Sequence, residues 1–315
     1  MLIAIRSTCI CTLSIALAVP AAAQSIRSTI ANARLGPGYA QLLNLAATPD
    51  ISAAHYELTG GDTRPSIDVL RVPFESRWRA LSNDSDLYWR IAAGHLQVDD
   101  DFQVDVPPGG AGGISSKWSA YSMTGGLAVK IRLASGLTLE PALDLSAAQL
   151  DNRASYSGAA TSLQPLLDRL LFNWRTKASL VTPNLGLDWK MATPDRTVRV
   201  RGHLAWSWIS SFDESDPVLK FHENAGVYSV RAEHVAPTGM QFGERLLHWV
   251  VFGGYAGFFG DNRNALGFNS IAQTGVGIEA PLSITHPDST RVRLGASYLF
   301  GPSVKGWTVS LGFQY

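Results

Sequence analysis

GWTVSLGFQY, residues 306–315, carries a large apolar or aromatic side chain at every second position: Trp307, Val309, Leu311, Phe313 and Tyr315. Thr308, Ser310, Gly312 and Gln314 fill the alternate positions. Successive side chains of an extended strand point to opposite faces, so this stretch reads as a strand with one apolar and one small or polar face. Chain ends usually fray into small polar residues. This one keeps its hydrophobic amplitude to the last position.

The same alternation recurs upstream. Leu127, Val129, Ile131 and Leu133 alternate with Ala128, Lys130 and Arg132. Leu137, Leu139, Leu143 and Leu145 share one parity, and Glu140 and Asp144 the other. Leu185, Leu187, Trp189 and Met191 are set against Asp188 and Lys190, and Val198 and Val200 against Arg199 and Arg201. Val292, Leu294, Tyr298 and Phe300 alternate with Arg291 and Arg293. Such runs, separated by turn residues, number about twelve. They fall near 51–59, 66–80, 86–98, 117–133, 136–150, 177–191, 196–211, 225–236, 246–259, 266–281, 289–300 and 305–315.

A soluble sandwich alternates as well, with its apolar face turned to a core. Two features favour a membrane barrel instead. Many runs reach ten residues or more, and a tilted membrane-crossing strand needs about nine to eleven. Several of the nine Trp stand near run ends (Trp78, Trp118, Trp208, Trp249 and Trp307), as an interfacial girdle requires. Connections alternate in length. Those spanning 99–116, 151–176 and 212–224 are long, whereas Ser82 to Asp86, Ala134-Ser135 and Ala192 to Asp195 are short, the asymmetry of outer loops and periplasmic turns.

The start of the chain agrees with export. A short basic n-region ending at Arg6, an apolar stretch from Cys9 to Val19, and Ala21-Ala22-Ala23 read as a signal peptide (residues 1–23) cleaved near Ala23. Both Cys depart with it, which leaves no disulfide and no Cys metal site. Removing Arg6 from 26 basic residues leaves 25 against 26 acidic ones, and no basic stretch suits nucleic acid. No segment is apolar for long enough to form a second spanning helix. Only helices and closed barrels satisfy every backbone hydrogen bond in lipid, so the fold class is an all-β transmembrane antiparallel barrel of about twelve strands over residues 51–315.

Two stretches break the strand period. Residues 24–50 form an N-terminal periplasmic or lumenal segment, partly helical over 26–46 and interrupted at Gly36-Pro37-Gly38. Residues 162–174 place Leu163, Leu166, Leu167, Leu170, Leu171 and Trp174 on one helical face, with Ser162 as N-cap.

If the apolar positions meet lipid, the charged alternates face the lumen: Arg71, Arg77, Arg79, Lys130, Arg132, Lys190, Arg199, Arg201, Arg231, Arg291 and Arg293. Their acidic partners would be Glu75, Glu140, Asp144, Asp188, Glu233 and Glu279. A basic lumen favours anions. A salt-bridged interior packs the barrel and holds a plug, and the supply of acids weighs toward that reading. Asp99, Asp100, Asp101 and Asp105 make an acidic loop that matches no EF-hand. Loop 212–224 groups Asp213, Glu214, Asp216, His222 and Glu223, the basis for an alternative reading as a rim-sited hydrolase. No GxSxG motif accompanies them, and His203 has no Ser partner in the sequence pattern. Nothing implies a metal or a cofactor.

Twelve strands, a helical stretch before the first, and the tail RVRLGASYLFGPSVKGWTVSLGFQY (Arg291 to Tyr315) resemble the autotransporter β-domain, and most closely the solitary autotransporter-like barrels without a passenger. The resemblance implies an outer-membrane location, with outer-membrane lipid and lipopolysaccharide as surroundings. It also implies that Trp307, Val309, Leu311, Phe313 and Tyr315 form the C-terminal signal read by the barrel-assembly machinery. In passenger-bearing relatives the segment before the first strand threads the pore as a helix, a role residues 26–46 match. Only residues 24–50 precede the first strand here, and Asn32 and Asn44 stand alone, without the Asn-Asn pair that some relatives cleave. The expected function is a narrow or plugged pore, or a structural surface protein, and not an enzyme.

Overall fold

The computed structural model describes residues 37, 38, 40, 53–59, 65–106, 110–193, 195–243, 245–281 and 291–314. The signal peptide, most of the 24–50 segment and Tyr315 lie outside these. Each of the twelve runs is a strand: β1 (Ala53–Leu58), β2 (Ser66–Ser82), β3 (Ser85–Val106), β4 (Gly110–Ala134), β5 (Leu137–Gly158), β6 (Arg175–Thr193), β7 (Arg196–Phe212), β8 (His222–Phe242), β9 (Arg245–Gly260), β10 (Ser270–Pro281), β11 (Arg291–Gly301) and β12 (Val304–Gln314). Every strand pairs antiparallel with its sequence neighbours. β1 pairs with β12, from Ala53↔Val309 to Leu58↔Val304, which closes the barrel. Among the described residues no helix is long and apolar enough to cross a membrane.

Which face is concave follows from contacts that skip strands. Arg293 on β11 reaches Glu233 on β8 across β9 and β10, and Arg90 on β3 reaches Asp144 on β5 across β4. Side chains can meet over intervening strands only on the inside of the curve. The apolar rows are therefore convex and stand exposed: Leu145 57%, Val276 61%, Leu294 58%, Leu311 57%. Trp78, Trp208 and Trp307 are exposed on this surface, and Trp249 packs at a tilt against His234, with ring centroids 5.1 Å apart. Trp118 does not belong to the girdle. It shares the face of Ser116, donates to its Oγ at 3.0 Å, and packs edge-on against Trp174 inside.

The strands run longer than the periodicity indicated. β3, β4 and β5 have 22, 25 and 22 residues, well beyond the ~9–11 a crossing requires. The expected loop 99–116 is mostly the extended β3–β4 hairpin, paired out to Val106↔Gly110. Strand alternation then separates its acids, because Asp99 and Asp101 share one face and Asp100 takes the other. Asp99 accepts from Gln97 at 2.6 Å. Among the described residues no group of three His, Cys, Asp or Glu is placed to hold a metal ion.

The amphipathic helix expected over 162–174 is not formed. A 3₁₀ turn at Ala159–Leu163 leads into a single α-helical turn, α1 (Gln164–Leu167), whose N-cap is Leu163 and not Ser162. Asp168 is extended, and Arg169 and Asn173 take positive φ of 68° and 56°. Local bonds explain the stop. The Asp168 carboxylate accepts from Tyr156 Oη at 3.0 Å, Asn173 Nδ2 at 2.6 Å and Gln164 Nε2 at 3.1 Å. A continued helix would keep the Gln164 bond, whose partners are four residues apart, but would forfeit those from Tyr156 and Asn173. The apolar residues of the stretch still reach the interior, where Leu170 and Trp174 are buried.

Two glycines on β8 and β9 set the packing of the aromatics Tyr228 and Phe259. A Cβ at Gly257 would stand 2.4 Å from the Tyr228 ring, and one at Gly226 2.4 Å from the Phe259 ring. Each ring lies flat over the facing glycine of the neighbouring strand. Gly257→Ala is expected to lift Tyr228 off the sheet and cost about 1–3 kcal/mol, read as a lower urea midpoint of the refolded barrel.

Candidate functional site

The inner wall divides into two zones along the barrel axis. Near the short turns it is charged. Near the long loops it is apolar, which the expected polar lumen did not include. Ile67, Leu96, Leu150, Leu180, Ile209, Phe258, Ile271 and Leu299 point inward there and form one cluster with Trp174, Leu219, Phe221 and Phe268 from the loops. Ala40, helical like Pro37 and Gly38, is fully buried in the same cluster.

The charged zone has two networks. On β2–β7 the hub is Arg90, whose Nε and Nη2 each donate to Asp144 at 2.7 Å, a bidentate pair. Its Nη2 also donates to Asn184 at 2.8 Å, and its Nη1 to Glu140 at 3.4 Å. Gly126 lies between Arg90 and Asp144 in the register and leaves the crossing clear. Lys130 donates to Glu75, stands 3.9 Å from Glu140 and sits over the Tyr88 ring at 4.2 Å. Arg77 donates to Asp86 at 2.6 Å. Arg199 Nε donates to both oxygens of Asp188, at 2.8 and 2.9 Å.

The second network lies on β7–β11. Glu233 accepts from Arg201 and Arg231 on one oxygen and from Arg293 on the other, each at 2.7 Å. Glu279 accepts from Arg291 at 2.9 Å and from Arg293 at 3.1 and 2.8 Å. Arg231 stacks on Phe252 at 3.8 Å. Glu233, Glu279, Arg231 and Arg293 are buried. Buried charges persist only when paired and hydrogen-bonded, which both acids satisfy.

The remaining charges of the expected inward row are Arg71, Arg79, Arg132 and Lys190. Arg71 faces Gly94 in the register. Arg132 and Lys190 are exposed, and Arg132 donates to the Asn83 carbonyl in the β2–β3 turn. Arg79 leaves the inward row. A register shift between Arg77 and Arg79 sets it opposite Leu87, whereas inward Tyr88 faces Arg77 and inward Asp86 faces Ala80. Arg90, Asp86, Asn184 and Phe252 were not anticipated. Trp89 and Ile91 give Arg90 the lumenal parity, a signal weakened by the small residues that follow on β3. For the C-terminal strand, Trp307, Val309 and Leu311 are exposed on the convex face. The side chains of Phe313 and Tyr315 lie outside the described residues.

At the rim, Lys177 donates to Asp213 at 2.6 Å and holds its carboxyl below the usual carboxylate range. Glu214 accepts from Ser211 at 2.6 Å, and Asp216 from the Val218 amide at 3.0 Å. His222 Nδ1 meets Ser210 Oγ at 3.0 Å. The acids of the loop are thus engaged in fixing its shape, and none of these bonds joins an acid to His222, as an imidazole base would need.

Among curated proteins none matches the sequence significantly. Three solved autotransporter domains share the fold. The transport unit of AIDA-I from Escherichia coli is 11% identical, with TM-score 0.54 over 88% of this chain and 97% of that one. The β-domain of the Bordetella autotransporter BrkA is 13% identical, with TM-score 0.52 over 84% and 95%. The translocator domain of NalP from Neisseria meningitidis is 10% identical, with TM-score 0.51 over 96% and 99%. A family model described as the solitary outer membrane autotransporter β-barrel domain matches residues 55–315. With twelve strands, a closed register and a match that runs nearly the length of the barrel, this chain belongs to the solitary outer membrane autotransporter β-barrel family.

Proposed function

We propose that the protein is a sealed, non-enzymatic barrel of the outer membrane, a plugged pore with a structural role at the surface. The apolar layer across the long-loop end of the lumen carries this reading. Water and ions cross an apolar constriction only at a desolvation cost, so such a layer shuts the passage. Ala40 supports a contribution from the N-terminal segment, since it is buried within the layer. The charged networks then act as struts that fix strand register beneath the seal, with Glu140, Glu233 and Glu279 each shared by two or more bases.

Single-channel recording in planar bilayers tests the proposal. The intact mature chain is expected to conduct near baseline. Deletion of residues 24–46, or Trp174→Ala with Phe268→Ala, is expected to raise conductance severalfold. A large steady conductance in the intact chain, unchanged by either alteration, would rule the seal out.

A further inference from the structure

We propose that the convex surface of β4–β6, just beyond the apolar band, binds the phosphate groups of an outer-leaflet glycolipid at Arg153 and Arg175. On these three adjacent strands the outward row changes from apolar to charged toward the long loops. It passes from Tyr121 through Ser119 to Lys117 on β4, from Leu145 through Gln149 to Asp151 and Arg153 on β5, and from Val181 through Ser179 to Lys177 and Arg175 on β6. The register sets Lys117 directly opposite Arg153 and Arg175 opposite Asp151, so Arg175 lies diagonal to Arg153. Like charges directly opposite across two strands repel, and an anion between them relieves that cost. Lys117, Arg153 and Arg175 are exposed, and Lys177 is partly so. The neighbouring connections fold over the lumen, where they bury Leu170, Trp174, Leu219 and Phe221. Three acids border the patch, and each already has a donor. Asp99 accepts from Gln97 at 2.6 Å and stands 3.9 Å from Lys117, Asp151 accepts from Gln149 at 2.8 Å, and Asp213 accepts from Lys177 at 2.6 Å. Among the described residues, Arg153 and Arg175 have no ion-pair partner.

Depth and chemistry together select the ligand. Lys117 follows Tyr121, and Lys177 follows Val181, at a separation of about 13 Å along the strand, or roughly 9 Å along the membrane normal at a tilt near 45°. That places the cations among headgroups and not among acyl chains. The long-loop end is the outer one, and the patch faces away from a closed wall. Its neighbour is therefore the outer leaflet and not the lumen, whether or not the lumen is sealed. Planar guanidinium forks match the paired oxygens of a phosphate, which sugar hydroxyls do not supply. The two lysines add attraction without a fixed direction and widen the patch beyond a single phosphate.

Native mass spectrometry of the full mature barrel, folded in neutral detergent and titrated with bisphosphorylated or dephosphorylated lipid A, tests the site. Saturable binding of the bisphosphorylated form is expected, about tenfold or more tighter than that of the dephosphorylated one, as for loss of charge-assisted hydrogen bonds. Arg153→Gln should weaken it about fivefold, the share of one basic residue at an anionic surface. Adding Arg175→Gln should bring the loss to about twentyfold or more. The corresponding pair of lysine substitutions, which keeps the charge without the forks, should fall between. Lys305→Gln, which removes the same charge from the same end of the convex face but on β12, should leave affinity unchanged. Both arginines are exposed, so the variants are expected to keep the compact gel band of the folded barrel. Equal affinity for the two lipids, equal weakening by Arg153→Gln and Lys305→Gln, or inorganic phosphate bound as tightly as the lipid, would overturn the proposal.

Discussion

Glu233→Gln is expected to destabilise the barrel by about 3–5 kcal/mol, the usual cost of removing one partner from a buried ionic network. Its side chain is 1% exposed and takes hydrogen bonds from arginines on β7, β8 and β11. The amide keeps the shape but not the charge, which leaves three guanidinium groups facing one another. Glu57→Gln is the internal comparison. Glu57 pairs with Lys305 at 3.0 Å in a half-exposed position, and such surface pairs contribute roughly 0–1 kcal/mol. Urea midpoints from tryptophan fluorescence, together with the temperature at which the compact band shifts on a gel, would measure both. If the two variants lose similar amounts, the lumenal network is not the strut described above.

The second large effect concerns the convex face. Val276→Arg is expected to cost about 2–4 kcal/mol in a bilayer, the penalty for a cation near the midplane of a membrane barrel. Val276 sits in the middle of β10, is 61% exposed in the isolated chain, and is flanked across the register by Val251 and Ala296. In water, an exposed substitution away from special features changes stability by only about ±0.5 kcal/mol. Equilibrium unfolding in lipid vesicles therefore separates lipid contact from solvent contact by several-fold in energy. A loss below about half a kcal/mol would mean that the row meets water.

Much of this architecture was legible in the residues. Where one face of a strand is apolar and the other charged, as in Leu137–Leu145 or Arg291–Phe300, the period-two amplitude fixes both the strand and the parity of every residue in it. The Arg and Glu residues that meet on Glu233 and Glu279 share that parity, so their face could be assigned before their contacts. Three things could not be read. Where both faces are apolar, as around Ala205, Trp206, Trp208 and Ile209, alternation loses its amplitude, and the apolar layer inside the lumen left no mark in the pattern. At Arg79 a bulge inverted the parity, and a bulge is set by how two strands pair. At 162–174 helical spacing was present, but Asp168 found better partners on β5 and the next turn than another helical turn could offer.

By itself the sequence determined the number of strands, their order along the chain and, away from the bulge at Arg79, the face of the charged residues in the lumenal networks, because those depend on alternation within single segments. Tertiary structure alone decided that the sheet closes through β1 and β12, that the lumen is apolar at one end and ionic at the other, and which arginine meets which acid. These features depend on residues far apart in the chain whose distance is set by curvature and shear, quantities that no local pattern encodes.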